Sequence, residues 1–519
     1  MSMRAFIILT FLTMQFCVTT SLAQKLQSDN GDGTYTNPVI AADFPDPDVI
    51  LVNDTYYMIS TTMFIFPGVT ILKSHDLVNW EYCSNAISRF DFNKCYDLDS
   101  CNRYGHGQWA TSMKYYNGKF YLLFITLNEG GFMCTAEKAQ GPWKITHLPK
   151  GFYDPGLFFD DDGKIYVAQG YNKISITEVD EKLVPKGPDS LVYTGDIRKG
   201  LEGTHVYKIN GYYYLYCTYG GLDGFQVALR SKKIYGPYEQ KVVIRDTTPG
   251  INFGIHQGAL IKTQAGEWWT MLFVDSGPFG RFPSLQPVTW IDGWPMVGVN
   301  GKAVITYKKP TVGQVYPKTR FPASDDFNSK TPGMQWGWNH NPDSTKWSLT
   351  QRPGYLRLTT GKIAATLREA RNTLTQRTFT YYSDSVPSVA ATKMDIDRMK
   401  IGDIAGLAVF QDPYAFIAVK QDRGSKKLIM VNNGELITSV PLKEKTVYLR
   451  VIASNSTKKA RFEYSLNNKT FISLGNELTM KFNLSVFTGN KFCLFNYATI
   501  QTGGYVDFDW FRNQPMKAN

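Results

Sequence analysis

"NGYYYLYC" (residues 210–217) sets two turn-formers before a run of aromatic residues, and the same pattern recurs along the chain. It reads "NDTYYMIS" at 53–60, "NGKFYLLF" at 117–124, "DGKIYVAQ" at 162–169 and "AGEWWTML" at 265–272. Asn-Gly and Asp-Gly accept the positive φ that a two-residue hairpin demands. The residues that follow are aromatic and β-branched, as pleated strands prefer. Taking Tyr57, Tyr121, Tyr166, Tyr214 and Trp269 as equivalent, the spacings are 64, 45, 48 and 55 residues. Four-stranded propeller blades repeat at about 40–50 residues. Five such hairpins predict a five-bladed β-propeller over residues 30–310, with an insertion in the long first interval.

Beyond "TYKKPTVGQVYP" the blade spacing is lost, but segments such as "LRLTT", "AGLAVFQD", "YAFIAVKQ" and "TVYLRVIAS" still read as short strands without helical periodicity. Residues 322–519 are therefore expected to form a β-sandwich, with "KKPTVGQVYPKTRFP" as the linker. The fold class is all-β. A length of 519 residues exceeds what one core organises.

The first 23 residues read as a signal peptide: Arg4, then "AFIILTFLTMQFCV", then "SLA" before Gln24. The apolar stretch is short for a membrane span, and Phe16 before Cys17 argues against lipid attachment. The expectation is an exported protein, periplasmic or secreted, with no membrane span. Export permits disulfides, and Cys95 and Cys101, bracketing "CYDLDSC", are the expected pair. No cysteine–histidine group has metal-ligand spacing. The net charge of +11 is dispersed, so nucleic acid is not expected as a partner.

In a propeller the innermost strands converge on the axis, so acids near strand starts in different blades are the candidates for chemistry. Asp46 stands in "FPDPDVI" between two prolines, a sequence that ordinarily builds a rigid turn. Asp154 stands in "YDPGLFFDDDGK", again before a strand and followed by proline. Glu202 stands in "KGLEGTHVYKI", beside a glycine that permits close approach of a ligand. Asp160, Asp161 and Asp162 belong to a hairpin turn. Three carboxyls from three blades suit glycoside hydrolysis, which needs a protonated acid and an ionised carboxylate. A third acid nearby raises the pKa of the general acid by like-charge repulsion.

These stretches, with "GQWATSMKYYNGKFYLLF", "GIHQGALIKTQAGEWW" and "GRFPSLQPVTWIDGWP", resemble in order glycoside hydrolase family 43, the five-bladed propeller β-xylosidases and α-L-arabinofuranosidases. The tail is similar to the concanavalin-like β-sandwich that follows the propeller in many members. The resemblance implies an inverting hydrolase with Asp46 as general base, Glu202 as general acid and Asp154 as pKa modulator and orienter. It also points to Trp109, Arg281, Met63 and His256 as substrate contacts. His256 would sit near the axis, where relatives hold a water or calcium. No cofactor is required, and calcium is the one metal brought into view, at His256 or among Asp325, Asp326 and Asp509. Where many xylosidases of the family read "STTFEWFPG", this chain reads "STTMFIFPG", so Met63 replaces an aromatic and Phe64 an acid. That departure tilts the expectation toward release of non-reducing-end α-L-arabinofuranosyl residues, with β-D-xylosyl as the alternative. The substrate would be a plant cell-wall hemicellulose, xylan or xyloglucan, or its oligosaccharides. A non-catalytic carbohydrate-binding protein is the alternative from another class. Asp48, two residues from Asp46, is expected to be a structural hydrogen-bond acceptor.

Overall fold

The computed structural model describes residues 28–516 except 197, 222, 247–253, 315 and 381–385; the signal-peptide reading of residues 1–23, with Cys17, lies outside the described residues. Five antiparallel four-stranded meanders follow one another along the chain. Their first strands are Asp48–Val52, Thr111–Tyr116, Gly156–Phe159, Leu201–Ile209 and Ile255–Lys262. These are the inner strands of blades 1 to 5. Tyr57, Tyr121, Tyr166, Tyr214 and Trp269 all fall in the second strand of their blades, as the repeat predicted. The hairpin turns take the positive φ that their sequences permit, at Asn117 and Gly118 (47° and 78°) and at Asn210 and Gly211 (51° and 77°).

Closure of the ring positions the site. The chain runs into blade 1 alongside the third strand of blade 5, Arg281–Ile291. Val39 N donates to Pro283 O, and Phe44 N to Arg281 O, at 2.9 and 3.0 Å. Thr34–Thr36 pairs with Thr306–Lys308 beyond it. These bonds bring Asp46 beside Arg281, although 235 residues separate them.

The C-terminal half is a sandwich of two large antiparallel sheets. Two central strands, Asp403–Phe410 and Lys491–Ala498, are buried at every residue. A strand buried on both faces must be covered on both sides. Leu407, Val409, Phe492 and Leu494 point into the sandwich core. The alternate residues Ala408, Phe410, Cys493 and Phe495 pack with Met63, Phe64 and Tyr104 of the propeller. Ile65–Phe66, from a loop of blade 1, adds itself to this sheet by pairing with Trp338 and Asn339. The two units therefore share a sheet as well as an apolar interface, a junction that the linker sequence did not reveal.

The insertion in the first interval is residues 88–110. Cys95 and Cys101 are joined there by a disulfide. The segment is held to the sandwich by Arg371 on Asp97 and by Tyr104 Oη donating to Arg368 O, both at 2.6 Å.

Candidate active site

Asp46, Asp154 and Glu202 line one cavity of about 240 Å³. Each is aimed there by a local departure from regular structure. Asp46 has φ 55° and Asp154 φ 45°, a left-handed conformation that aspartate tolerates better than most residues. Pro45 O, accepting from Thr61 N and Ser60 Oγ, fixes the segment that carries Asp46. Glu202 sits on a bulge in the inner strand of blade 4, where the register shifts between Glu202 and His205 and Gly203 has φ 64°. Such bulges re-aim a side chain. Opposite, Gly220 leaves room for the carboxyl: a Cβ there would lie 2.4 Å from Glu202 Oε1. Met63 and Gln257 also line the cavity with positive φ. Strained backbone thus gathers around one pocket, as functional sites tend to collect it.

The carboxyls differ in their partners. Asp46 accepts from Arg281 Nη1 at 2.9 Å in a buried ion pair. Glu202 accepts from Tyr153 Oη at 3.1 Å, and Asp154 from Gly203 N at 3.2 Å. Burial pushes the Asp154 carboxyl well above the usual carboxylate range, and repulsion by Glu202 and Asp46 pushes it the same way. Burial raises Glu202 too, with repulsion by Asp46 added and the hydrogen bond from Tyr153 opposing. The Glu202–Asp154 pair thereby holds a proton at a pH where an exposed carboxyl has lost it. The site offers one carboxylate paired to arginine and, in the same cavity, two carboxyls that hold a proton more tightly than usual, the complement that glycoside hydrolysis uses.

Four buried polar atoms of the lining residues have no partner within the protein: Thr61 Oγ1, Trp109 Nε1, and Arg281 Nε and Nη2. Unpaired buried donors and hydroxyls are costly unless a ligand completes them. Sugar hydroxyls, which both donate and accept, are ligand groups of the kind that pair with such atoms. The volume lies below the roughly 300–1,000 Å³ of sites for drug-sized ligands, which suits a single sugar ring.

Met63, Trp109 and Arg281 line the cavity as the sequence reading placed them, while His256 is not among the lining residues. The His256 ring is buried over Gly224, where a Cβ would approach its Cδ2 to 2.2 Å, and its Nε2 lies 3.5 Å from Asp275 Oδ2. His256 thus stands outside the cavity lining, close enough to Glu202 to interact with it electrostatically. Phe64 is also outside the cavity lining, packing on Tyr104 and His340. Asp48 accepts from Met113 N at 2.7 Å and lies 3.3 Å from His205 Nδ1, so it ties blades 1, 2 and 4 together.

Calcium takes about six to eight oxygen ligands. Beside His256 stands the Asp275 carboxylate, and neither ring nitrogen makes a hydrogen bond within the protein. Asp326 pairs with Arg512 and Asp509 with Lys393, while Asp325 accepts from Trp336 Nε1. Neither group presents a direct calcium ligand set. Among the described residues no three His, Cys, Asp or Glu side chains are disposed to hold a metal ion.

The cavity wall also contains Thr61, Ala110, Tyr153, Gln257, Leu484 and Phe487, which the sequence reading did not single out. Tyr153 is adjacent to Asp154, and Gln257 lies within the "GIHQG" motif, so both were within reach. Leu484 and Phe487 come from the sandwich and carry no local signal. Phe487 packs on Trp109 at 5.4 Å, and the Arg281 guanidinium lies 4.8 Å from its ring centroid.

Comparison with known proteins agrees with this geometry. Residues 35–295 match the family described as Glycosyl hydrolases family 43, and residues 324–514 the Beta xylosidase C-terminal Concanavalin A-like domain. A β-xylosidase of Formosa agariphila is 35% identical, covering 93% of this chain and 90% of its own. A non-reducing end α-L-arabinofuranosidase of Bacteroides ovatus is 30% identical over 95% of both chains. A solved bifunctional GH43-CE structure from Bacteroides eggerthii superposes with a TM-score of 0.85 at 38% identity; it covers 93% of this chain, which spans 64% of that longer protein.

Proposed function

The chain belongs to glycoside hydrolase family 43, and on that premise we propose that it releases single pentose residues from the non-reducing ends of hemicellulose or its oligosaccharides. The observation that carries this reading is the closed wall: a sandwich loop brings Leu484 and Phe487 against a one-ring cavity that already holds three carboxyls. A pocket shut on one side admits a chain end rather than a chain middle.

In this reading Asp46, held by Arg281, draws a proton from a water that attacks the anomeric carbon. Glu202 gives its proton to the departing oxygen from the other face. Asp154, through Gly203 N and like-charge repulsion, orients Glu202 and keeps it protonated. The anomeric centre inverts. Thr61, Trp109 and Arg281 supply the polar contacts to the ring hydroxyls.

Both α-L-arabinofuranosyl and β-D-xylosyl groups fit the reading, since the two sugars offer similar hydroxyl positions. The Met63 substitution favours the first. The second is favoured by the Formosa agariphila relative's name and by Phe64, which sits outside the cavity and so does not remove a sugar contact. Turnover of 4-nitrophenyl α-L-arabinofuranoside and β-D-xyloside under identical conditions decides between them, and turnover of neither sinks the pentose reading. The reading also includes export, with residues 1–23 removed; the mass of the mature protein, starting at Gln24, tests that part.

A further inference from the structure

Resting on the proposed reaction, we propose that Tyr171 is the platform for the sugar unit that departs, and so sets the preference for an oligosaccharide over a simple glycoside.

The argument begins with the direction of proton transfer. If Glu202 protonates the glycosidic oxygen, the leaving sugar lies on the Glu202 side of the cavity mouth. The end of blade 3 that carries Asp154 also carries the hairpin loop between Ile165–Gln169 and Lys173–Val179. Gly170 N donates to Tyr153 O at 3.0 Å, tying this loop to the segment bearing Asp154. The loop is also bound to the approach to Glu202. Asn172 N donates to Leu201 O at 2.8 Å, and Leu201 N to Asn172 Oδ1 at 3.0 Å.

Tyr171 stands at the tip of this doubly anchored loop. Its ring rests on Gly200, where a Cβ would come within 2.6 Å of the phenolic oxygen. It meets the Tyr153 ring at 6.2 Å and 85°. Tyr153 is the cavity-lining residue that donates to Glu202. Tyr171 nevertheless remains 55% exposed. A large aromatic ring held on a fixed loop yet left open, one ring outward from the proton donor's partner, is what a pyranose face stacks upon. Nothing else in the fold uses that exposed surface among the contacts described.

The test compares wild type, Tyr171→Ala and Tyr171→Phe on two substrates bearing the same pentosyl group. One has a sugar leaving group, as in xylobiose or an arabinofuranosyl-xylooligosaccharide; the other is the methyl pentoside. For Tyr171→Ala, kcat/KM on the oligosaccharide falls about tenfold, the worth of one stacked sugar face, while the methyl glycoside is unaffected. Tyr171→Phe restores the oligosaccharide rate, because the ring and not the hydroxyl is used. An equal fall on both substrates overturns the proposal, since Tyr171 would then act through Tyr153 and Glu202; so does an unchanged ratio. A wild type inactive on both substrates sinks the pentose reading itself, and with it this substrate class.

Discussion

Asp43→Ala is the perturbation that probes the junction of propeller and sandwich most sharply. The Asp43 carboxylate accepts from Arg281 N at 3.0 Å and from Gly489 N at 2.8 Å, and stands 3.7 Å from Lys491 Nζ. It joins blade 5 and the sandwich loop that carries Phe487. Burial brings Lys491 down from 10.5 to about 8, with Asp43 opposing the shift. Without Asp43 the charged form would cost more, but deprotonation offers an alternative. The lysine's contribution to the loss is therefore capped at about 1 kcal/mol near pH 7, the cost of removing its proton about one pH unit below its pKa of about 8. It vanishes above about pH 8, where Lys491 in the wild type loses its own proton. The two orphaned N–H groups of Arg281 and Gly489 add about 1–3 kcal/mol in total, after water enters the space vacated by the carboxylate. The expected loss is about 2–4 kcal/mol at pH 7, shrinking by about 1 kcal/mol near pH 9. Urea denaturation at the two pH values measures it, with kcat/KM falling in parallel as the Phe487 loop loosens. A loss below about 1 kcal/mol, or one that stays the same at both pH values, refutes the reasoning.

Asp154→Asn removes the like charge beside Glu202, so the alkaline limb of the pH–rate profile moves to lower pH; an unmoved limb contradicts the shared-proton account. The same raised carboxyls make the native state bind more protons than the unfolded chain, so stability falls as pH rises from the ordinary carboxylate range through the raised values; thermal melts against pH show a shallower decline in Asp154→Asn. Asp46→Asn abolishes turnover with the fold intact, whereas Asp48→Asn retains chemistry and loses about 1–3 kcal/mol of stability from its blade-to-blade bonds. Phe487→Ala opens the wall and lowers kcat/KM about tenfold, chiefly through KM, in steady-state kinetics.

The repeat of turn plus aromatic strand made the five blades legible, because glycine and asparagine must occupy positive-φ hairpin positions wherever the blade recurs. The three acids were legible as strand-start residues. Periodicity could not separate Asp46 from Asp48; the family resemblance did, and the fold has Asp46 in the cavity and Asp48 between blades. The disulfide was readable from a short loop. Leu484 and Phe487 were not readable, because nothing local marks a sandwich loop as the wall of a propeller site more than 200 residues earlier. His256, expected near the axis as a substrate contact, lies outside the lining, and the register shift between His256 and Gly258 brings Gln257 to the wall instead.

The central claim is that Glu202 delivers the proton to the departing oxygen. Its most direct test is kcat/KM of Glu202→Gln against wild type on two pentosides that differ only in leaving-group acidity, a methyl glycoside and a 2,4-dinitrophenyl glycoside. The account predicts a loss of about 10²–10⁴-fold on the first, which needs the proton, and little loss on the second, which does not. Equal losses on both substrates would contradict it.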